Sequence, residues 1–133
     1  MRRLFAVLTV LIVLPLLTLK ADAPSAAAIK AKYSKPWYGQ SSWYGSYWNG
    51  KKTACGIKYD AERLYAAHPV LPCGTWLRIT NMRTGHSEFA KVVDRGPYEE
   101  GREIDVSERV ARRIDLKKWG VERVKLEVVR FVD

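Results

Sequence analysis

A chain of 133 residues, 47% of them hydrophobic, has room for one domain with a modest core and not for two. Its formal net charge of +9 suits an anionic polymer such as wall glycan, membrane headgroups or nucleic acid, but charge alone does not choose among them and also serves solubility. Two histidines at unrelated positions and the lack of a Gly-x-x-x-x-Gly-Lys loop argue against a metal centre or a phosphate-binding loop, and no cofactor is expected.

Residues 1–28 place two arginines before an apolar run from Leu4 to Leu19, followed by small residues. That is the layout of a secretory signal peptide, with cleavage after Ala23 or, preferably, Ala28. The run is broken by Thr9, Pro15 and Thr18 and is short for a membrane span, so a retained anchor is the alternative. Removing the segment takes away three cations and one anion and leaves a charge of +7 on an exported domain. Residues 29–39, "IKAKYSKPWYG", read as a flexible lead-in, and the domain proper is expected over 40–133.

Of 15 aromatic residues, seven fall between Tyr33 and Trp48, in a setting rich in Gly and Ser. A core could absorb two or three. Exposed rings stack on sugars or bases, with Lys51 and Lys52 alongside, and export favours sugars over nucleic acid. Partial core packing stays open for any one ring. Further along, Cys55 and Cys73 form an even pair, which in an oxidising compartment reads as a disulfide. A cysteine nucleophile is the sharper alternative, disfavoured because a free exported thiol oxidises.

Short strand-like runs follow. "TWLRITNM" alternates Leu77 and Ile79 against Arg78 and Thr80, and Gly85 marks the turn after it. "EFAKVVD" sets Ala90, Val92 and Asp94 on one face and Phe89, Lys91 and Val93 on the other. "VERVKLEVVRFVD" alternates Val124, Leu126 and Val128 against Arg123, Lys125 and Glu127. One helix is expected, capped by Ser107, with Val106, Val110, Ala111 and Ile114 as its apolar stripe. Many short strands with regular turns predict an all-β barrel or sandwich.

Asp94 is the residue most suited to chemistry. It ends an apolar strand face and is followed at once by Arg95-Gly96-Pro97. A carboxylate against apolar neighbours resists ionisation and can donate a proton to a leaving group. Alternatively it accepts hydrogen bonds from the turn at Gly96 or pairs with Arg95. His68 sits beside Pro69 and reads first as a hydrogen-bonded structural residue. His86 follows a turn and is expected to be exposed.

In this order, "SSWYG" (41–45), "TACGIKYD" (53–60), "YAAHPVLPCGTWLRITNMRTG" (65–85), "VVDRGPYEEGREIDVS" (92–107) and "VKLEVV" resemble the RlpA family of bacterial cell-wall proteins, over about residues 40–130. The resemblance implies a mainly β fold, a six-stranded double-psi β-barrel with one short helix, preceded by a signal peptide. It implies a monomeric lytic transglycosylase at the bacterial cell wall, periplasmic or extracellular, which cleaves peptidoglycan glycan strands to anhydromuramic ends without water. Asp94 matches the catalytic aspartate and His68 the histidine beside it. Trp43, Tyr44 and Arg95 become groove residues for sugar stacking and polar contacts. Two positions depart from the family pattern. Ile57 stands where a glutamate contributes to the site, and Cys55 replaces an asparagine and pairs with Cys73, as in expansins and barwin-like proteins. The alternative that follows is a non-catalytic glycan-binding or expansin-like wall-loosening module. A nucleic-acid or membrane-surface binder that uses charge alone is the third.

Overall fold

The computed structural model describes residues 30–132, and the expected signal segment lies outside the described residues. Seven strands run in chain order: β1 (Ala31–Tyr33), β2 (Trp37–Tyr44), β3 (Tyr65–Ala67), β4 (Trp76–Asn81), β5 (Ser87–Asp94), β6 (Ile104–Ser107) and β7 (Glu122–Phe131). Six of them close on themselves in the order β7-β2-β6-β3-β5-β4, with β4 pairing back to β7. Two neighbouring pairs, β2 with β6 and β3 with β5, are parallel, and the other contacts around the barrel are antiparallel. Parallel neighbours cannot be joined by a hairpin, so their connections must cross the barrel ends. Two such crossings make the double-psi form: of the barrel or sandwich that the strand pattern predicts, the barrel is found, with the six strands that the family resemblance implies.

The interior is set by period-two alternation. Leu77 and Ile79 from β4, Ala90 and Val92 from β5, and Val124 and Leu126 from β7 are all fully buried in one apolar cluster. Arg78, on the outer face of β4, makes a two-pronged ion pair with Glu127 of β7 at 2.8 and 3.0 Å, a planar match that only Arg offers. β1 lies outside the closed barrel. β7 is ten residues long and outruns β2, so its edge beyond Leu126 would be open; Ala31–Tyr33 pairs with Val129–Phe131 and covers it. The segment read as a flexible lead-in therefore holds one whole strand and the first three residues of β2.

Where one helix is expected after β6, two short α-helices form, α1 (Glu108–Arg113) and α2 (Leu116–Trp119), and a single 3-10 turn over Ser46–Trp48 follows β2. Ser107 caps α1, accepting from the Val110 amide at 3.4 Å, and the stripe Val110, Ala111 and Ile114 is buried as its spacing requires. The break comes at Asp115, which adopts a left-handed φ of 60°, a conformation Asp tolerates better than most residues. Asn81 of β4, fully buried, donates to the Ile114 carbonyl at 2.8 Å and so satisfies the end of α1. α2 then seats Leu116 in the core and stops at Gly120.

Ser107 has two tasks, since its hydroxyl also donates to the Arg63 carbonyl at 2.6 Å. Ser107→Ala is expected to destabilise the fold by about 1–2 kcal/mol, a lost cap plus a lost hydrogen bond. Urea unfolding followed by tryptophan fluorescence would read this as a lower midpoint at unchanged slope.

Candidate active site

Three strand ends lie side by side at one mouth of the barrel. Ala67, the last residue of β3, is opposite Asp94 of β5 on one side and Asp105 of β6 on the other. Two interstrand steps of about 4.8 Å put the backbones of the two acids about 10 Å apart. The register of β3 on β5 slips between Ala66 and Ala67, so Val92 pairs with Ala66 but Asp94, not Val93, stands opposite Ala67. Such a bulge re-aims the residues at the tip. Gly96 follows at φ 105°, a backbone open to glycine, and carries the chain away directly after the acid.

Asp94 and Asp105 line one cleft of about 370 Å³ together with Tyr44, Ala67 and Arg95, and with Trp48, Lys51, Lys52, Thr53 and Tyr59 from the β2–β3 connection. Asp94 Oδ1 accepts from the amides of Ala54 and Arg95, both at 2.9 Å. Its Oδ2 receives no hydrogen bond from any described residue. Oδ1 therefore takes the acceptor role at the turn, and Oδ2 is the oxygen left unpaired among the described residues. Ala54 is held in place beside Cys55, whose disulfide to Cys73 spans a Cα–Cα distance of 5.8 Å, and the Cys55 amide donates to the Val93 carbonyl at 3.2 Å.

Asp105 is the site residue that sequence reasoning did not single out. Its strand partner Ser42 on β2 donates its hydroxyl to Oδ1. Burial pushes the Asp105 carboxyl above the usual carboxylate range, the Ser42 hydrogen bond opposing that shift in part. The "REIDVS" segment contains the signal, an acid in an apolar strand, but nothing local says that this strand end lies two steps from Asp94.

The other expected residues divide. Arg95 lines the cleft, and its guanidinium donates to the carbonyls of His68 (3.2 Å) and Leu71 (2.8 Å) instead of to Asp94. Tyr44 lines the cleft too, but its ring is stacked on Tyr59, centroids 4.2 Å apart. Burial drives both phenols far above their ordinary range, so both stay protonated. Trp43 points the other way along β2, as successive strand residues must. It packs against the core, under Lys117, and is not among the cleft-lining residues. Trp48 supplies the cleft's indole.

His68 is buried, and its ring is not part of the cleft wall. Its Nδ1 accepts from the amides of Val70 and Leu71 at 3.2 and 3.1 Å, which leaves the proton on Nε2 facing Glu103 Oε1 at 3.3 Å. Its backbone is what meets the site: the His68 amide donates to the Asp94 carbonyl at 3.2 Å. Ile57 lies in the turn closed by Thr53 and Ile57 and is likewise not among the cleft-lining residues. Among the described residues no group of three His, Cys, Asp or Glu side chains could hold a metal ion.

A family model described as lytic transglycolase matches residues 34–126, most of the chain and every strand that closes the barrel up to Leu126. The chain belongs to the lytic transglycolase family. Among its relatives is a probable endolytic peptidoglycan transglycosylase RlpA from Aquifex aeolicus, 42% identical over 92 residues that cover 69% of this chain and 41% of the relative. The endolytic peptidoglycan transglycosylase RlpA of Neisseria meningitidis serogroup A is 40% identical over 91 residues, 68% of this chain and 38% of that protein. The lytic transglycolase domain described here thus spans well under half the length of the curated relatives it matches. Solved structures with a similar fold include an expansin of Clavibacter michiganensis (TM-score 0.60, 23% identity, 74% of this chain and 52% of that one). A Streptomyces papain inhibitor is also similar (TM-score 0.59, 22% identity, 73% and 96%). At such identities the likeness is one of fold.

Proposed function

We propose that this lytic transglycolase domain is an exported endolytic peptidoglycan transglycosylase acting on glycan strands at the cell wall. The observation that carries the proposal is a pair of carboxylates, Asp94 and Asp105, on strand ends two steps apart, both lining one cleft with an aromatic and basic wall. Relatives named as peptidoglycan transglycosylases, about 40% identical over the barrel, support the substrate class. The disulfide is compatible with export.

In this reaction Asp105, whose carboxyl burial pushes above the usual carboxylate range, protonates the glycosidic oxygen as its bond to C1 of the muramic acid breaks. The 6-hydroxyl oxygen of the same sugar bonds to C1, and its proton passes to Asp94 Oδ2. No water is consumed. One carboxyl has lost a proton and the other has gained it, and exchange with solvent restores both. A retaining hydrolase would instead need one carboxylate as a nucleophile. His68 acts as a positioning residue, fixing the Asp94 carbonyl and Arg95 through its backbone. Trp48, half exposed, offers a sugar-stacking face, and Lys51 lies over it at 4.7 Å. The reading is tested by incubating the full chain with purified sacculi and looking for anhydromuramoyl ends by mass spectrometry. Retained sacculus binding with no product would favour the expansin-like binding module instead, a reading that Ile57 in place of an acid supports.

The raised pKa of Asp105 has a signed consequence. As pH rises through the ordinary carboxylate range the unfolded chain releases this proton before the folded one does. The group therefore lowers stability above that range and costs nothing well below it. Asp105→Asn is expected to melt higher than wild type at neutral pH, with the gap closing as pH falls, while product formation drops about 10²-fold or more. Melting curves across pH check this; a gap that does not change with pH would contradict it.

A further inference from the structure

Three cations and two exposed rings form a strip that the cleft does not use. The Arg123 guanidinium lies over the ring of Tyr38, 5.1 Å from its centroid. The Arg83 guanidinium lies over Trp119 at 4.7 Å, and the Lys118 ammonium is 5.0 Å from the same ring. Both rings are half exposed. The two groups are neighbours, since the Met82 amide donates to the Arg123 carbonyl at 3.0 Å and Arg83 follows Met82 directly. None of these residues lines the cleft. β4 and β5 are antiparallel, so the turn that carries Arg83 leads into the start of β5, whereas Asp94 ends that eight-residue strand, about 23 Å further on.

The hydrogen-bonding capacity of these cations is largely unspent. Arg83 Nε donates to Glu122 Oε1 at 2.7 Å, but its two terminal amino groups have no partner among the described residues. The side chains of Arg123 and Lys118 have neither a hydrogen-bond nor an ion-pair partner there. A guanidinium stacked on a ring keeps its plane fixed and its N–H fork turned outwards, which is a preorganised seat for a carboxylate. Three such cations side by side, on a chain of net positive charge, complement an anionic polymer.

We infer that the strip of Arg123, Arg83 and Lys118 is a second, non-catalytic contact surface for peptidoglycan, which holds carboxylates of its peptide stems while a glycan strand occupies the cleft. The choice of polymer rests on the function proposed above. Binding at two places raises the effective concentration of strands at the cleft without any change in the chemistry there.

Arg83→Gln would leave the buried Glu122 carboxylate unpaired and destabilise the fold. The test therefore uses Lys118→Gln/Arg123→Gln, whose side chains leave no acid behind. Lys32→Gln/Arg130→Gln removes the same charge from the paired β1–β7 edge and is the control. In co-sedimentation of the full chain with purified sacculi at about 50 mM salt, the Lys118/Arg123 variant is expected to bind about 3- to 10-fold more weakly than wild type, the worth of two exposed charge contacts. The gap should close at about 0.5 M salt, where such contacts are screened. The control should stay within twofold of wild type. On sacculi whose carboxylates have been amidated, wild type and the Lys118/Arg123 variant should bind alike. Turnover of short soluble glycan fragments should be unchanged in that variant. Equal binding of both proteins to untreated sacculi would overturn the inference, even if wild type held single-stranded DNA or phosphatidylglycerol vesicles more tightly. So would an equal loss in the control, a gap that survives amidation, or a matching loss of turnover on the short fragments. If wild type yields no anhydromuramoyl product, the transglycosylase proposal fails and the sacculus comparison still decides the role of the strip.

Discussion

Asp94→Asn is expected to leave the barrel intact and to cut anhydromuramoyl product from sacculi by about 10²–10⁴-fold, the usual worth of a positioned acid or base. The substitution separates the two roles of the side chain. The amide oxygen of Asn can still accept from the Ala54 and Arg95 amides, which in wild type both donate to Oδ1. The other end becomes an NH₂ group, which donates where Oδ2 must accept the 6-hydroxyl proton. Melting temperature should therefore stay close to wild type while turnover collapses, and binding to sacculi should persist. Asp94→Ala, by contrast, leaves both amides without their acceptor and is expected to lose about 1 kcal/mol as well as activity. An Asn variant that still releases anhydromuramoyl fragments would remove Asp94 from the chemistry altogether.

The second large effect concerns the disulfide. Cys55 and Cys73 are separated by 18 positions, and in the chain-entropy model closing a loop of that size stabilises the fold by about 3 kcal/mol. For a domain of this size that corresponds to a melting temperature lower by about 10–20 °C in the Cys55→Ser/Cys73→Ser double variant. The bridge does more than resist unfolding. It pins the turn from which Ala54 donates to Asp94, and Arg95 Nη2 approaches Cys73 Sγ at 3.5 Å. Turnover measured well below the new melting temperature should therefore fall further than the unfolded fraction explains. Calorimetry alongside product analysis at a fixed low temperature separates the two contributions. A variant that melts lower but turns over normally would show that the turn holds Asp94 without the bridge.

Much of this protein is legible along the chain. The alternation that buries Leu77 and Ile79, and Val124 and Leu126, is a local property of a pleated strand. Ser107 announces its helix for an equally local reason, a side-chain oxygen placed where unpaired amides begin. Asp94 stands out locally as an acid at the tip of an apolar run before a turn, and its match to a catalytic aspartate comes from the family resemblance, not from the run itself. What no local pattern carries is which strand ends become neighbours. Asp105 joins Asp94 only because β3, far from both in sequence, lies between β5 and β6. The pleat of β2 turns Trp43 away from the cleft, whereas the fold brings Trp48 to the cleft from the β2–β3 connection and directs the ring of His68 towards Glu103. It also leaves the Tyr44 hydroxyl buried without a hydrogen-bond partner among the described residues. Side-chain phase is written residue by residue, every second position, whereas the pairing of distant strands is settled by closing the whole barrel at once.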